Sequence, residues 1–238
     1  MELTTYFLAS SGAIATLVFL SIRVKKIGVG AVIAKSIASL FFIATAAAAT
    51  MAIESSMFGP LVLVGLVFGL VGDIFLDLKV TYKKDNDQWL YAGMASFTAG
   101  HIIYLLATLL VLPLPELNIL TLVAIPAILA VIFSIGVLVV APYLKLHYGK
   151  FTLPAFVYAF LLSFWVFVTG SILIVSGFSV LWLMLFLGAT LFLISDLILS
   201  MQYFGPAENA NKPTLVVTNH ATYYLAQFLI ACSILHAL

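Results

Sequence analysis

The chain has 238 residues, of which 64% are hydrophobic and 8% charged, and its mean hydropathy is +1.24. Soluble domains carry about 45–50% apolar and about 25% charged residues, so this composition excludes a water-soluble globular protein and requires a chain that crosses a membrane several times. A formal net charge of +1 offers no concentrated basic face, which excludes a nucleic-acid partner.

Eight apolar segments long enough to cross a hydrocarbon core of about 30 Å are predicted, at 3–22, 32–53, 60–79, 89–112, 119–140, 152–176, 179–202 and 214–236. The first begins close to Met1 with no basic residue before it, and Arg23, Lys25 and Lys26 follow it. That order is opposite to a cleavable signal peptide, so a retained first helix with its N-terminus outside is expected. The connections are short and carry helix punctuation: Gly59-Pro60, Pro113, Pro115, Pro142, Gly177, Gly205-Pro206 and Pro213. None is large enough for a separate domain. The expected fold is therefore all-α, a single integral membrane domain over residues 1–238.

With eight spans, the connections after the first, third, fifth and seventh lie on one side of the membrane. Arg23, Lys25, Lys26, Lys35, Lys79, Lys83, Lys84, Lys145, Lys150 and Lys212 all lie at or beside these connections. The positive-inside rule places that side in the cytoplasm, with both termini outside. Trp89, Tyr91, Tyr143 and Tyr203 fit an aromatic belt at the same interface. The one cysteine, Cys232, has no disulfide partner in the chain and is expected to be a buried thiol.

The third and seventh segments align as VFGLVGDIFLD over TLFLISDLILS, which puts Asp73 over Asp196 and Asp77 over Ser200. The fourth and eighth align as GHIIYLLA over NHATYYLA, which puts His101 over His220 and Tyr104 over Tyr223. Lys35 and Lys150, each opening a span, form a looser third correspondence. The offsets are 123, 119 and 115 residues, as expected of a duplicated four-helix half, about 1–116 and 117–238, repeated around an axis along the membrane normal.

Intramembrane carboxylates are costly, so Asp73 and Asp196 are functional candidates by default. At about 1.5 Å per residue each lies about 9 Å from the cytoplasmic end of its helix, and His220 and Asn219 lie at a similar depth. Asp73 with Asp77, Asp196 with Ser200, Asn219 with Tyr223 and His220 with Tyr224 are i, i+4 pairs, so each shares a helix face. Lipid offers such groups no partner, and one cavity facing the cytoplasmic leaflet is the expected arrangement. The alternatives at these positions are polar contacts between helices for the aspartates and histidines, an interfacial pair with Lys79 for Asp77, and a topology-setting role for Lys35 and Lys150.

GD-x-x-L in the third segment, G-H-x-x-Y in the fourth, SD-x-x-L in the seventh and N-H-x-x-Y-x-L in the eighth, with a lysine opening the second, resemble the YhhN-like lysoplasmalogenase family of eight-helix membrane proteins. The resemblance spans essentially the whole chain and departs from the family at Ser36, where a proline is expected after the lysine. It implies hydrolysis of the vinyl-ether bond of a lysophospholipid substrate to a fatty aldehyde and a glycerophospho-headgroup. Protonation of the β-carbon gives an oxocarbenium ion that water captures, so one protonated and one ionised carboxyl suit the reaction and no organic cofactor is required. Asp73 and Asp196 are the expected pair, with His101 and His220 orienting water or moving protons. Asn219 and Tyr223 are expected hydrogen-bond donors. Lys35 and Lys150 are expected at the substrate phosphate, and Asp77, Tyr104, Ser200 and Tyr224 elsewhere in the substrate site. Two other classes use similar residues: a zinc hydrolase ligated by His101, His220 and the two aspartates, and a proton-coupled transporter.

Overall fold

A computed structural model describes residues 1–25, 27–53, 57–82, 86–112, 118 and 120–237. Lys26, Lys83, Lys84, Pro113 and Pro115, which carry part of the topology and connection signals, lie outside the described residues. The described residues form eight α-helices and no strand: α1 (Glu2–Lys25), α2 (Val29–Ala52), α3 (Phe58–Thr81), α4 (Asn86–Leu110), α5 (Ile125–Val140), α6 (Thr152–Val175), α7 (Val180–Tyr203) and α8 (Pro213–Ser233).

Each expected span has its helix, with ends displaced by a few residues. Seven of the eight are long and apolar enough to cross a membrane, the fifth counted as Leu120–Leu144 and the sixth as Gly149–Val175. The 21 residues of α8 reach about 31 Å, but Thr218, Asn219, His220, Thr222 and Gln227 interrupt its apolar character. The protein is a multi-pass membrane protein, and its surface has the inverse pattern of a soluble domain. Leu17, Ile132 and Ile174 are exposed, whereas Lys35, Ser39, Asp73 and Gln227 are buried.

Local chemistry explains the less regular pieces. Helical hydroxyls donate back to the carbonyl four residues earlier, as Thr45 does to Phe41, Ser134 to Ala130 and Thr169 to Trp165, so these buried donors are satisfied within their own helix. The fifth span opens with a π-helical turn, Leu120–Ala124, immediately before Pro126. Proline has no N–H and its ring crowds the carbonyl four residues back, so a wider turn relieves the start of this helix.

The chain divides into two compact units, one of Met1–Val111 with Gln227–Leu238 and one of Leu112–Ala226. In the first, α1 packs on α2, α2 on α3 and α3 on α4. The α3–α4 contact is close because glycines remove side chains from it. A Cβ at Gly65 would meet the Tyr104 ring at 2.3 Å, and one at Gly100 would meet the Gly65 carbonyl oxygen at 3.1 Å. In the second unit α5 packs on α6 and α6 on α7. Cys232 is buried as a free thiol.

Candidate functional site

In the first unit, α2 and α3 are sequence neighbours running in opposite directions, and each presents two polar residues one turn apart. Lys35 Nζ lies 3.2 Å from Asp73 Oδ1 and 3.3 Å from Asp77 Oδ1, and Ser39 Oγ donates to Asp73 Oδ2 at 2.8 Å. The i, i+4 spacing on both helices puts all four groups on facing stripes. All four are buried, the three charged side chains being 4–9% exposed. One ammonium balances one carboxylate, so the second carboxyl brings either a net charge or a proton into the cluster. Asp77 Oδ2 is buried and has no hydrogen-bond partner among the described residues.

Lys35, expected at the substrate phosphate, is held between two carboxylates, and Asp77 answers the same cation. The sequence marks Lys35 only as a helix-opening charge; what it reaches depends on how α2 sits against α3.

Also in this unit, His101 Nδ1–H donates to its own helix at the Phe97 carbonyl, 2.6 Å away. A carbonyl can only accept, so in the neutral ring Nε2 carries the lone pair. The His101 ring stands edge-on to Tyr104 at 6.0 Å, and the Tyr104 hydroxyl donates to Gln227 Oε1 at 3.2 Å.

The second unit repeats parts of this pattern with other residues. His220 Nδ1–H donates to the Val216 carbonyl at 2.8 Å, the same i−4 bond made by His101. The hydroxyl of Tyr158, on α6, donates to Asp196 Oδ2. Tyr158 precedes Asp196 by 38 residues, and Lys35 precedes Asp73 by the same number. At the carboxylate, the residue at the position answering to Lys35 by this spacing is Tyr158. Lys150 is exposed at the start of the sixth span, its Nζ 5.8 Å from the Phe151 ring centre.

Asn219 Nδ2 donates to the Ser195 carbonyl at 2.7 Å and to Ser195 Oγ at 2.9 Å, and Ser195 Oγ donates to the Asn219 carbonyl at 3.1 Å. The Asn219 amide, expected at the substrate, thus meets Ser195 in a clasp between α7 and α8, next in sequence to Asp196. Tyr223 is buried edge-on to Phe192 at 5.3 Å and to Tyr224 at 5.2 Å. Ser200 Oγ donates to the Leu197 carbonyl at 2.7 Å.

The sequence-derived candidates therefore gather as two acid centres: Lys35, Ser39, Asp73 and Asp77 in the first unit, and Tyr158 with Asp196 in the second. Ser39 and Tyr158 were not legible as site residues, although applying the Asp73–Asp196 offset of 123 to Lys35 points to Tyr158. Among the described residues no group of three or more His, Cys, Asp and Glu side chains is arranged to hold a metal ion.

Comparison with curated proteins and with solved structures returns no match. The model of the YhhN family matches residues 30–234, a stretch that contains both acid centres, both histidines and the Asn219 clasp. The chain belongs to the YhhN family.

Proposed function

We propose that this protein hydrolyses the vinyl-ether bond of single-chain ether phospholipids of the lysoplasmalogen type, releasing a fatty aldehyde and a glycerophospho-headgroup. The observation that carries this reading is the buried cluster in which two carboxyls share one cation. A carboxyl there donates a proton to the β-carbon of the vinyl ether, and the resulting oxocarbenium ion is steadied by the anionic carboxylate. Water adds to the cation, returns a proton to the carboxylate, and leaves a hemiacetal that collapses to aldehyde and alcohol. Lys35 keeps the two carboxyls together without supplying a proton acceptor of its own. Asp196 with the Tyr158 hydroxyl is a second acid centre, and His101 and His220 each have Nδ1 fixed by the helix, which leaves the lone pair of the neutral ring on Nε2.

The membrane setting supports a lipid substrate, since buried acids in a wholly apolar surround meet molecules that partition into the bilayer. The charge distribution supports a bacterial cytoplasmic membrane, both termini outside, and acid centres toward the cytoplasmic leaflet. The test is to assay purified protein and its Asp73→Asn and Asp196→Asn variants on lysoplasmenylethanolamine, measuring the aldehyde by mass spectrometry. Turnover is expected from the unaltered protein, with a loss of about 100-fold or more in Asp73→Asn. Unchanged turnover in Asp73→Asn removes the first acid centre from the mechanism.

A further inference from the structure

The second unit contains a groove of about 480 Å³ that the chemistry above does not use. It runs between α5 and α7, with Phe133, Gly136 and Val137 on one wall and Ile194, Leu197 and Met201 on the other. Both walls belong to membrane-spanning segments, so the groove opens to lipid. Its far end is lined by Leu146, Tyr148 and Ser200, two of which carry hydroxyl groups.

The connection that closes the groove is unusually well fixed. Leu146 and Tyr148 are buried, with Tyr148 packed on Phe204 at 4.7 Å, while Lys145, His147 and Lys150 are exposed. Backbone bonds pin it at Leu146 N–H to the Ala141 carbonyl and at His147 N–H to the Phe204 carbonyl, each 2.8 Å. Lys145 has φ +57°, a left-handed conformation that side chains adopt at a cost of about 1–3 kcal/mol, and its N–H answers the Ala141 and Pro142 carbonyls. Alternation of buried and exposed residues thus displays Lys145 and His147 outward, with Lys150 following. Burial raises the Tyr148 phenol above its ordinary range, with the Ser200 side chain opposing, so the hydroxyl keeps its proton and can donate.

We propose that this groove holds the hydrocarbon chain of a single-chain phospholipid, and that the 145–150 connection holds its phosphate. A methylene is about the size of a water molecule, about 30 Å³ in the liquid, so the groove accommodates on the order of sixteen chain carbons. That is the size of one lipid chain. The cationic rim matches an anionic headgroup in charge. Ser200 lines the groove one helical turn beyond Asp196 on the same face of α7, about 6 Å along the axis. The junction of headgroup and chain, where a vinyl ether sits, thereby comes within about one turn of an acid. The inference takes its substrate class from the proposed hydrolysis, and its test separates the two.

The full-length protein in lipid nanodiscs is photolabelled with a lysophosphatidylethanolamine carrying a diazirine in a sixteen-carbon chain, and the labelled peptides are mapped. Label is expected on 133–140 and 194–201, lowered about tenfold by excess sixteen-carbon lysolipid but not by an eight-carbon one. A Cβ at Gly136 would meet nothing within 4 Å, so Gly136→Leu projects into the groove without a clash. It is expected to lower the labelling about tenfold at an unchanged melting temperature. Lys145→Gln with Lys150→Gln is expected to weaken labelling by the lysophospholipid and to spare a monoacylglycerol probe, which has no phosphate. Label spread evenly over the lipid-facing helices, or unaffected by Gly136→Leu, overturns the groove. Groove labelling without hydrolysis of any lipid overturns the enzymatic reading and leaves the lipid site standing; hydrolysis without groove labelling does the reverse.

Discussion

Lys35 carries more of the site than its sequence context suggests, because two carboxylates depend on it. Removing one partner of a buried ion cluster leaves uncompensated charge and typically costs about 3–5 kcal/mol. Lys35→Met is accordingly expected to lower the detergent-solubilised melting temperature sharply, and adding Asp77→Asn to it should recover part of that loss, because one fewer carboxylate is stranded. A second variant that behaves worse than the first removes the shared-cation account. Tyr158 occupies the equivalent place in the second unit without a charge. Tyr158→Phe deletes the donor to Asp196 while keeping the ring, so a lower rate with little change in folding is expected, whereas equal rates would make the contact incidental. The aspartates were legible in the sequence because a carboxylate among apolar residues stands out by itself. Tyr158 was not, since it is one of 10 tyrosines and its meaning lies in a spacing shared with Lys35.

At the scale of elements, periodicity and punctuation gave the eight helices because lipid leaves the backbone few alternatives to a helix. What periodicity does not supply is the identity of the neighbour. Gly65 and Gly72 read as unremarkable small residues, yet a Cβ at either would enter an aromatic ring of α4, Tyr104 or Phe97. Gly65→Ala is therefore expected to destabilise by about 1–3 kcal/mol through displacement of the ring that holds Gln227, while Gly136→Ala, with open space around it, leaves the melting temperature unchanged. Equal effects of the two substitutions would contradict the close α3–α4 contact. The π-helical turn ahead of Pro126 is another feature that composition hides, as proline there signals only a helix start.

For the whole molecule, hydropathy carried the reading furthest, giving a multi-pass membrane protein, while the described residues divide into two compact units at Leu112. The end of α8 from Gln227 onward belongs with the first unit, which an apolar helix gives no signal for. Topology is tested by replacing Cys232 with serine and placing single cysteines at Lys145 and at Ser179. Membrane-impermeant maleimide is expected to reach position 145 from the cytoplasmic side and position 179 from outside; the opposite pattern inverts the proposed orientation. The Lys35 cluster also bears on how the chain is made. A charged aspartate in a lone span costs up to about 2.5–3.5 kcal/mol on insertion, most at the helix centre, and α3 carries two in its C-terminal half. Synthesis delivers α2 first, so the counter-cation is already emerging when the acids arrive, and the two helices can leave the translocon as one hairpin in which that cation offsets one of the two carboxylates. Biogenesis then has a built-in order, in which the cation that answers the acids of α3 is made before they are.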